Sequence, residues 1–243
     1  MMNPSNRFER LLAITAIAAM SLTQAMAQQT MTYRINDSLS QFVNADKNKH
    51  AASEEELTLL DEMNFIEMVN SVPLDSKSAD LIRKFQEKEG RNRLFGREFT
   101  QKSGCTVETY RNKEVLLVTI PAANLFAPND TVLRQEASVY LAPFKRYLKD
   151  PDMYRVLMVM HTDNTGSETY RDKLTEERSK AIADWYADSG SDTTYLFPYA
   201  FGDDMPLVEN NSMSNREKNR RLEVYLVPGK KMLEQAKKGR IVF

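Results

Sequence analysis

The sequence predicts an α+β fold, a β-α-β-α-β-β sandwich with helices packed on a mixed sheet, preceded by a helical N-terminal segment. Three observations carry this expectation. Residues 106–120 are rich in Val, Leu, Ile and Thr and are broken by the polar Arg111-Asn112-Lys113, as in a hairpin. Residues 131–149 and 167–189 place apolar side chains at helical spacing. Compact apolar runs at 154–160, 194–199 and 222–227 supply the remaining strands.

At the N-terminus, Arg7 and Arg10 precede an uncharged, mostly apolar run over 11–22, and Ala25-Met26-Ala27 offers the small residues that a signal peptidase accepts. The reading is a secretory signal peptide over 1–27, cleaved before Gln28. The run is too short to cross a bilayer. No Cys lies near the cleavage point to carry a lipid. No later stretch approaches ~18 consecutive apolar residues or alternates as the strands of a membrane barrel do. The expectation is a chain that is soluble after export.

Residues 28–52 are polar and aperiodic and read as a flexible arm. Ser53 followed by Glu54, Glu55 and Glu56 forms a capping box, so a helix is expected to start there. Leu57, Leu60, Met63 and Ile66, flanked by Leu59, Phe65, Met68 and Val69, make its apolar stripe, and Pro73 ends it. A second helix is expected over 76–89, with Leu81, Ile82 and Phe85 on one face and Gly90 as the stop. With the basic residues Arg91, Arg93 and Arg97, the 53–103 segment is too small for a core of its own. It packs on the downstream domain, on a second copy or on another envelope protein, and the sequence leaves the three open.

Downstream, 106–110 and 114–120 form the hairpin. The 131–149 helix carries Leu133, Ala137, Leu141, Phe144 and Leu148, with Pro143 set to bend or interrupt it. Strand 154–160, helix 167–189 closed by Gly190, strand 194–199, a short polar helix and a last strand over 222–227 complete the domain expected at 104–228. A basic, partly helical tail follows over 229–243.

Composition excludes several functions. With 33 Lys+Arg against 34 Asp+Glu, the net charge of -1 gives no field to hold a polyanion, so nucleic acid is not an expected partner. Cys105, His50 and His161 are too few soft ligands for a zinc site, and no metal or cofactor is expected. Cys105 has no partner within the chain, so it is either buried or free to pair with another chain. Burial is the expectation, since lone Cys residues pack as small apolar groups.

The residues singled out for chemistry are His161-Thr162-Asp163-Asn164-Thr165-Gly166, where an apolar strand ends and a helix begins. That junction is where α/β architectures present ligands. Arg178 lies further along the same helix. A carboxylate and a guanidinium beside one cleft can hold a zwitterion by both ends, and they are expected to pair with each other when the site is empty. A purely structural salt bridge between Asp163 and Arg178 is the other reading of these two residues.

The region 106–228 resembles the C-terminal, peptidoglycan-associating domain of outer membrane protein A, shared with Pal and MotB. The resemblance rests on Leu125-Phe126, His161-Thr162-Asp163 with Gly166, Leu174-Thr175 with Arg178, Gly202 with Pro206, and Asn210, Arg216 and Asn219-Arg220-Arg221. It implies an OmpA-like fold and non-covalent binding of the peptidoglycan stem peptide through diaminopimelate. By that pattern Asp163 takes the ammonium and Arg178 the carboxylate. Lesser contacts fall to Thr162, Asn164, Thr165 and Gly166, while Asn219, Arg220 and Arg221 are either contacts or structural. The implied role is a periplasmic tether between the cell wall and an outer-membrane or envelope protein reached through residues 53–99. The alternative is a scaffold subunit whose wall-binding site has decayed.

Four residues depart from the pattern: Met160, Ala200 and Asn215 stand where Gly is usual, and Arg171 where Asn is usual. Met160 is expected to add bulk beside the cleft and Arg171 to compete with a ligand ammonium. Asn215 is expected to be mild, because Asn tolerates left-handed backbone angles. A hydrolase built on His161 with Asp163, Glu168 or Glu176 lacks a nucleophile or a metal set, so no enzyme is expected.

Overall fold

Strands β1 (Thr106–Tyr110), β2 (Val115–Pro121), β3 (Tyr154–His161), β4 (Leu196–Ala200) and β5 (Arg221–Pro228) form one sheet in the order β1-β2-β5-β3-β4. Only β3 and β4 run parallel; the other neighbours are antiparallel. The structure, a computed structural model, describes residues 65–70, 75–92, 94, 103–150 and 152–243. The expectations for the signal peptide over 1–27, the arm over 28–52, the Ser53 capping box, the stop at Pro73, and Arg93 and Arg97 lie outside these residues.

Strand alternation sorts the side chains. Leu116, Val118 and Ile120 of β2, Val156, Met158 and Met160 of β3, and Leu222, Val224 and Leu226 of β5 join the hydrophobic core on one face. Helices α2 (Ser76–Asn92), α3 (Ala137–Leu141), α4 (Lys145–Leu148), α5 (Glu168–Asp188) and α7 (Lys230–Lys237) contribute buried or half-buried side chains to that core. Each fully buried aliphatic side chain of this kind contributes about 1.5–3 kcal/mol. The other face is covered as well. Phe65, which opens α1 (Phe65–Asn70), sets its ring edge-on against Tyr199, Phe201 and Tyr225 at 5.2–5.4 Å.

Helix α2 settles the question left open for its segment, since its apolar face belongs to this same domain. Asp75 caps it by accepting from the Lys77 and Ser78 amides. Ile82 is fully buried, and Gln86 donates to the carbonyls of Glu114 (3.0 Å) and Leu226 (3.3 Å). Gly90 does not end the helix, which continues to Asn92. A Cβ at Gly90 would lie 2.9 Å from Leu116 Cδ2, so the glycine serves close approach to β2 instead of termination. At the other end, α7 buries Met232 and Ala236, and the Phe243 ring stacks on Tyr147 at 5.6 Å. The compact unit therefore runs over Phe65–Phe243, with both flanks of the 104–228 region packed on it.

The helix expected from residue 131 begins only at Ala137. Asp130 Oδ1 accepts from the amides of Thr131 (2.8 Å) and Val132 (3.0 Å), a local turn that competes with helix, and Leu133 bridges back to Phe126. Pro143 breaks the remainder as its missing amide requires, leaving a 3₁₀ turn at Ala142–Phe144 between α3 and α4. Strand β4 starts two residues later than expected, because residues 194–195 form a turn closed by Leu196 N donating to Thr193 O.

Candidate functional site

The loop over 162–167 joins β3 to α5. Thr162 N donates to Gly202 O at 2.7 Å, tying it to the loop after β4, and Ser167 caps α5 by accepting from Tyr170 N. Gly166 has φ +85°, and a Cβ there would also meet Tyr170 at 2.8 Å, so this turn requires glycine.

Asp163 sits in this loop with its side chain only 3% exposed. Its Oδ1 accepts from Thr165 N at 2.8 Å and from Thr165 Oγ1, and its Oδ2 pairs with Arg220 Nη1. Arg220 follows helix α6 (Met213–Asn219) and immediately precedes β5. The expected Asp163–Arg178 pair is not formed. Arg178, on α5, donates from Nε to Asp130 O (2.8 Å) and from Nη2 to Ala127 O (3.1 Å), and its Cζ lies 4.8 Å over the Phe126 ring. The turn over 127–130 thus supplies acceptors and an aromatic face before any carboxylate can. Burial lowers the Arg178 pKa from its ordinary value; Tyr170 and Asp130 oppose the shift, and the positive charge of Arg220 adds to it. Arg220 therefore bridges the two expected ligand contacts, paired with one and electrostatically coupled to the other.

Asn164 Oδ1 accepts from Arg216 Nε at 3.1 Å at the rim of the same cluster. Asn219 and Arg221 lie elsewhere. Asn219 is fully buried and ties down the loop before α6, accepting from Val208 N and donating to Val208 O and Asn210 Oδ1. Arg221 faces the second side of the sheet, where it donates to Glu223 Oε1 (2.8 Å), Asn219 O and Met205 O. His161 is beside it in register, buried, with Nε2 3.6 Å from Glu223 Oε2. Burial, helped by the Arg221 charge and opposed by Glu223, lowers the His161 pKa.

Two expectations for the departures are corrected, as is the reason given for a third. Met160 is fully buried in the hydrophobic core, where it adds no bulk beside the loop. Arg171 is held by Asp203 Oδ1 and Gly166 O, each at 2.6 Å, so its donors are not directed at Asp163. Asn215 lies within helix α6 and does not adopt a left-handed angle. Cys105 is buried as expected, and desolvation pushes its thiol pKa up. Among the described residues, no group of three or more His, Cys, Asp or Glu side chains could hold a metal ion, and no helix is long and apolar enough to cross a membrane.

The partners Phe126, Arg216 and Asp203 were not recognised as parts of the site from sequence. Phe126 and Arg216 did stand in the motif pattern; the Arg171–Asp203 pair carries no sequence signal, as it joins helix α5 to the loop after β4.

A mixed sheet with helices on its core face, and a charged strand-to-helix loop at one end, defines an α+β domain. Residues 125–220 match the model of the OmpA family, and the domain has the OmpA-like fold. A protein described as MotB-like, from Desulfovibrio vulgaris, superposes with a TM-score of 0.52 at 21% identity, over 62% of this chain and 95% of that one. The outer-membrane lipoprotein YfiB of Pseudomonas aeruginosa is 30% identical over 104 residues, which is 43% of this chain and 61% of the lipoprotein. The peptidoglycan-binding protein ArfA of Mycobacterium bovis is 34% identical over 70 residues, 29% of this chain and 22% of ArfA. This chain therefore aligns with less than two thirds of either relative.

Proposed function

We propose that this protein binds peptidoglycan non-covalently in the periplasm and anchors an envelope component to the cell wall. The observation that carries the reading is the charged end of the sheet, where Asp163 in the β3–α5 loop, Arg220 just before β5 and Arg178 on α5 come together. A relative whose name states peptidoglycan binding supports it. The ligand is the zwitterionic centre of diaminopimelate, with Asp163 taking the ammonium and Arg178 the carboxylate. The chain binds and does not catalyse. His161, its one histidine near the loop, is buried and pairs toward Glu223 on the other side of the sheet. The Arg7 and Arg10 pair, the apolar run after it and Ala25-Met26-Ala27 support export through a cleaved signal peptide.

Contact with an outer-membrane partner falls to the 53–99 segment. The apolar face of α2 is taken by the sheet, so that contact uses the exposed polar side of α2 and the rest of the segment. Deleting residues 28–60, which precede the Phe65–Phe243 unit, is expected to release the protein from membrane fractions. Unchanged fractionation when the deletion is combined with charge reversal of the exposed α2 residues Lys84 and Lys88 would count against this partner.

Sedimentation with purified sacculi tests the binding reading. The wild-type chain is expected to pellet, Asp163→Ala and Arg178→Ala to stay in solution, and high salt to weaken wild-type pelleting. The competing reading, a scaffold with a decayed site, is favoured by one observation: both Asp163 oxygens are already engaged within the chain. A wild-type chain that stays soluble with sacculi at physiological salt would decide for the scaffold.

A further inference from the structure

We propose that Arg220 is a resident counter-ion that fills the ammonium position beside Asp163 in the free protein, and that the need to displace it makes the site select zwitterions over simple amines. This rests on the binding reading above and adds to it a rule for which ligands are accepted.

The carboxylate of Asp163 has no open face. Thr165 saturates Oδ1 through its amide and hydroxyl, and Arg220 holds Oδ2. A ligand ammonium can reach Asp163 only by replacing one of these donors. Thr165 is two residues away in the same loop, and its amide cannot leave without refolding it, while a turn of its hydroxyl frees Oδ1 of one donor only. Arg220 attaches through Nη1 alone; Nε and Nη2 make no other hydrogen bond among the described residues, and its side chain is 42% exposed. The Arg220 backbone stays fixed, its amide donating to Arg216 O (3.1 Å) and its carbonyl accepting from Ala122 N (3.0 Å). Only the guanidinium needs to move.

Selectivity follows from where it moves. Arg178 cannot retreat, being held by two backbone carbonyls and the Phe126 ring. A displaced Arg220 then faces a fixed like charge close by, with Arg216 also on that rim. An amine without a carboxylate leaves Arg220 uncompensated beside these cations. A zwitterion brings its own carboxylate to Arg178, and the same carboxylate receives the displaced Arg220. One internal ion pair is exchanged for an ammonium–Asp163 pair and a carboxylate shared by two arginines.

Two measurements on the full chain test this. The first is ¹⁵N side-chain NMR of the free protein. The Arg220 guanidinium is expected to show hindered rotation, which Asp163→Asn abolishes; free rotation in the wild type overturns the proposal whether or not a ligand binds. The second is titration with a diaminopimelate-containing stem tripeptide and with its derivative amidated at the D-centre carboxyl. Amidation is expected to weaken binding to both proteins, since each loses the carboxylate that Arg178 grips, but at least about tenfold more in the wild type than in R220M, because there the displaced Arg220 loses its new partner as well. Equal losses in the two proteins overturn the selectivity. If neither protein binds either peptide while the Arg220 guanidinium is hindered, the binding reading itself fails, and the pair is structural.

Discussion

Arg220 and Arg221 each pair with a carboxylate, yet the two pairs occupy regions of different character. Arg220 reaches Asp163 at the rim of the loop cluster with its side chain 42% exposed, whereas Arg221 reaches Glu223 on the covered second face with its side chain 4% exposed. Asn219, the residue before them, is fully buried and serves a third purpose, holding the loop at 208–210. The strand start at Arg221 produces the difference. Residues within β5 alternate between faces, and Arg220 stands just outside that alternation. The lesson is that a run of like residues read as one signature divides into fastening and exchangeable parts according to where the strand begins.

The largest expected effect tests the fastened pair. Arg221→Met leaves Glu223 charged and buried beside a neutral His161, and is expected to destabilise the fold by about 3–5 kcal/mol in urea denaturation. A loss below about 1 kcal/mol would remove the distinction between the two arginines. Asn219→Ala removes a buried side chain that both donates and accepts, with an expected loss of about 1–3 kcal/mol by the same assay. A value near zero would show that the loop before α6 holds without it.

A pH series sharpens the same contrast. Burial alone would raise the Glu223 pKa, but the Arg221 charge, the nearby His161 ring and a hydrogen bond from the Tyr225 hydroxyl outweigh it and hold the carboxyl well below its ordinary 4.5. The His161 pKa is also lowered from 6.5. In both cases the unfolded chain takes up the proton first, so each contribution is complete above the unfolded value and is lost as pH falls through the folded one. Urea midpoints are expected to fall from about pH 6.5 downward and again below about pH 4.5. His161→Asn should flatten the first fall, and an unchanged curve would assign it to other groups. The smallest effect belongs to the pair with one half-exposed member: Asp163 is buried, but water can enter where the Arg220 side chain was, and Arg220→Met is expected to cost no more than about 1 kcal/mol. A loss comparable to Arg221→Met would mean that Arg220 is a fastening residue and cannot be exchanged.

Much of the fold was legible because periodicity is local. The hairpin around Arg111-Asn112-Lys113, strand 154–161 and helix 168–188 follow from spacing and end signals within each segment. The errors fall where a distant group intervenes. Gly90 reads as a stop unless Leu116 is known to lie against it. The burial of Glu223 and Arg221 carries no sequence signal, because nothing near them announces that their face of the strand is covered. The site was half legible. Asp163 and Arg178 are marked by their place around a strand-to-helix junction, but their true partners are set by tertiary contact. Arg220 is far along the chain from Asp163, and the acceptors of Arg178 are main-chain carbonyls that carry no residue identity.

The position of β5 between β2 and β3 governs the order in which this domain can assemble. β2 and β3 do not hydrogen-bond to each other, so a chain emerging N-terminus first has a hairpin, β1 with β2, and a parallel pair, β3 with β4, that wait for a common neighbour. That neighbour follows directly on Arg220, the residue whose guanidinium pairs with Asp163. Closure of the sheet therefore depends on contacts of high sequence separation, which slows folding. A chain stopped before Arg221 would hold most of the charged loop cluster and two unjoined pieces of sheet, with no cooperative fold to carry them.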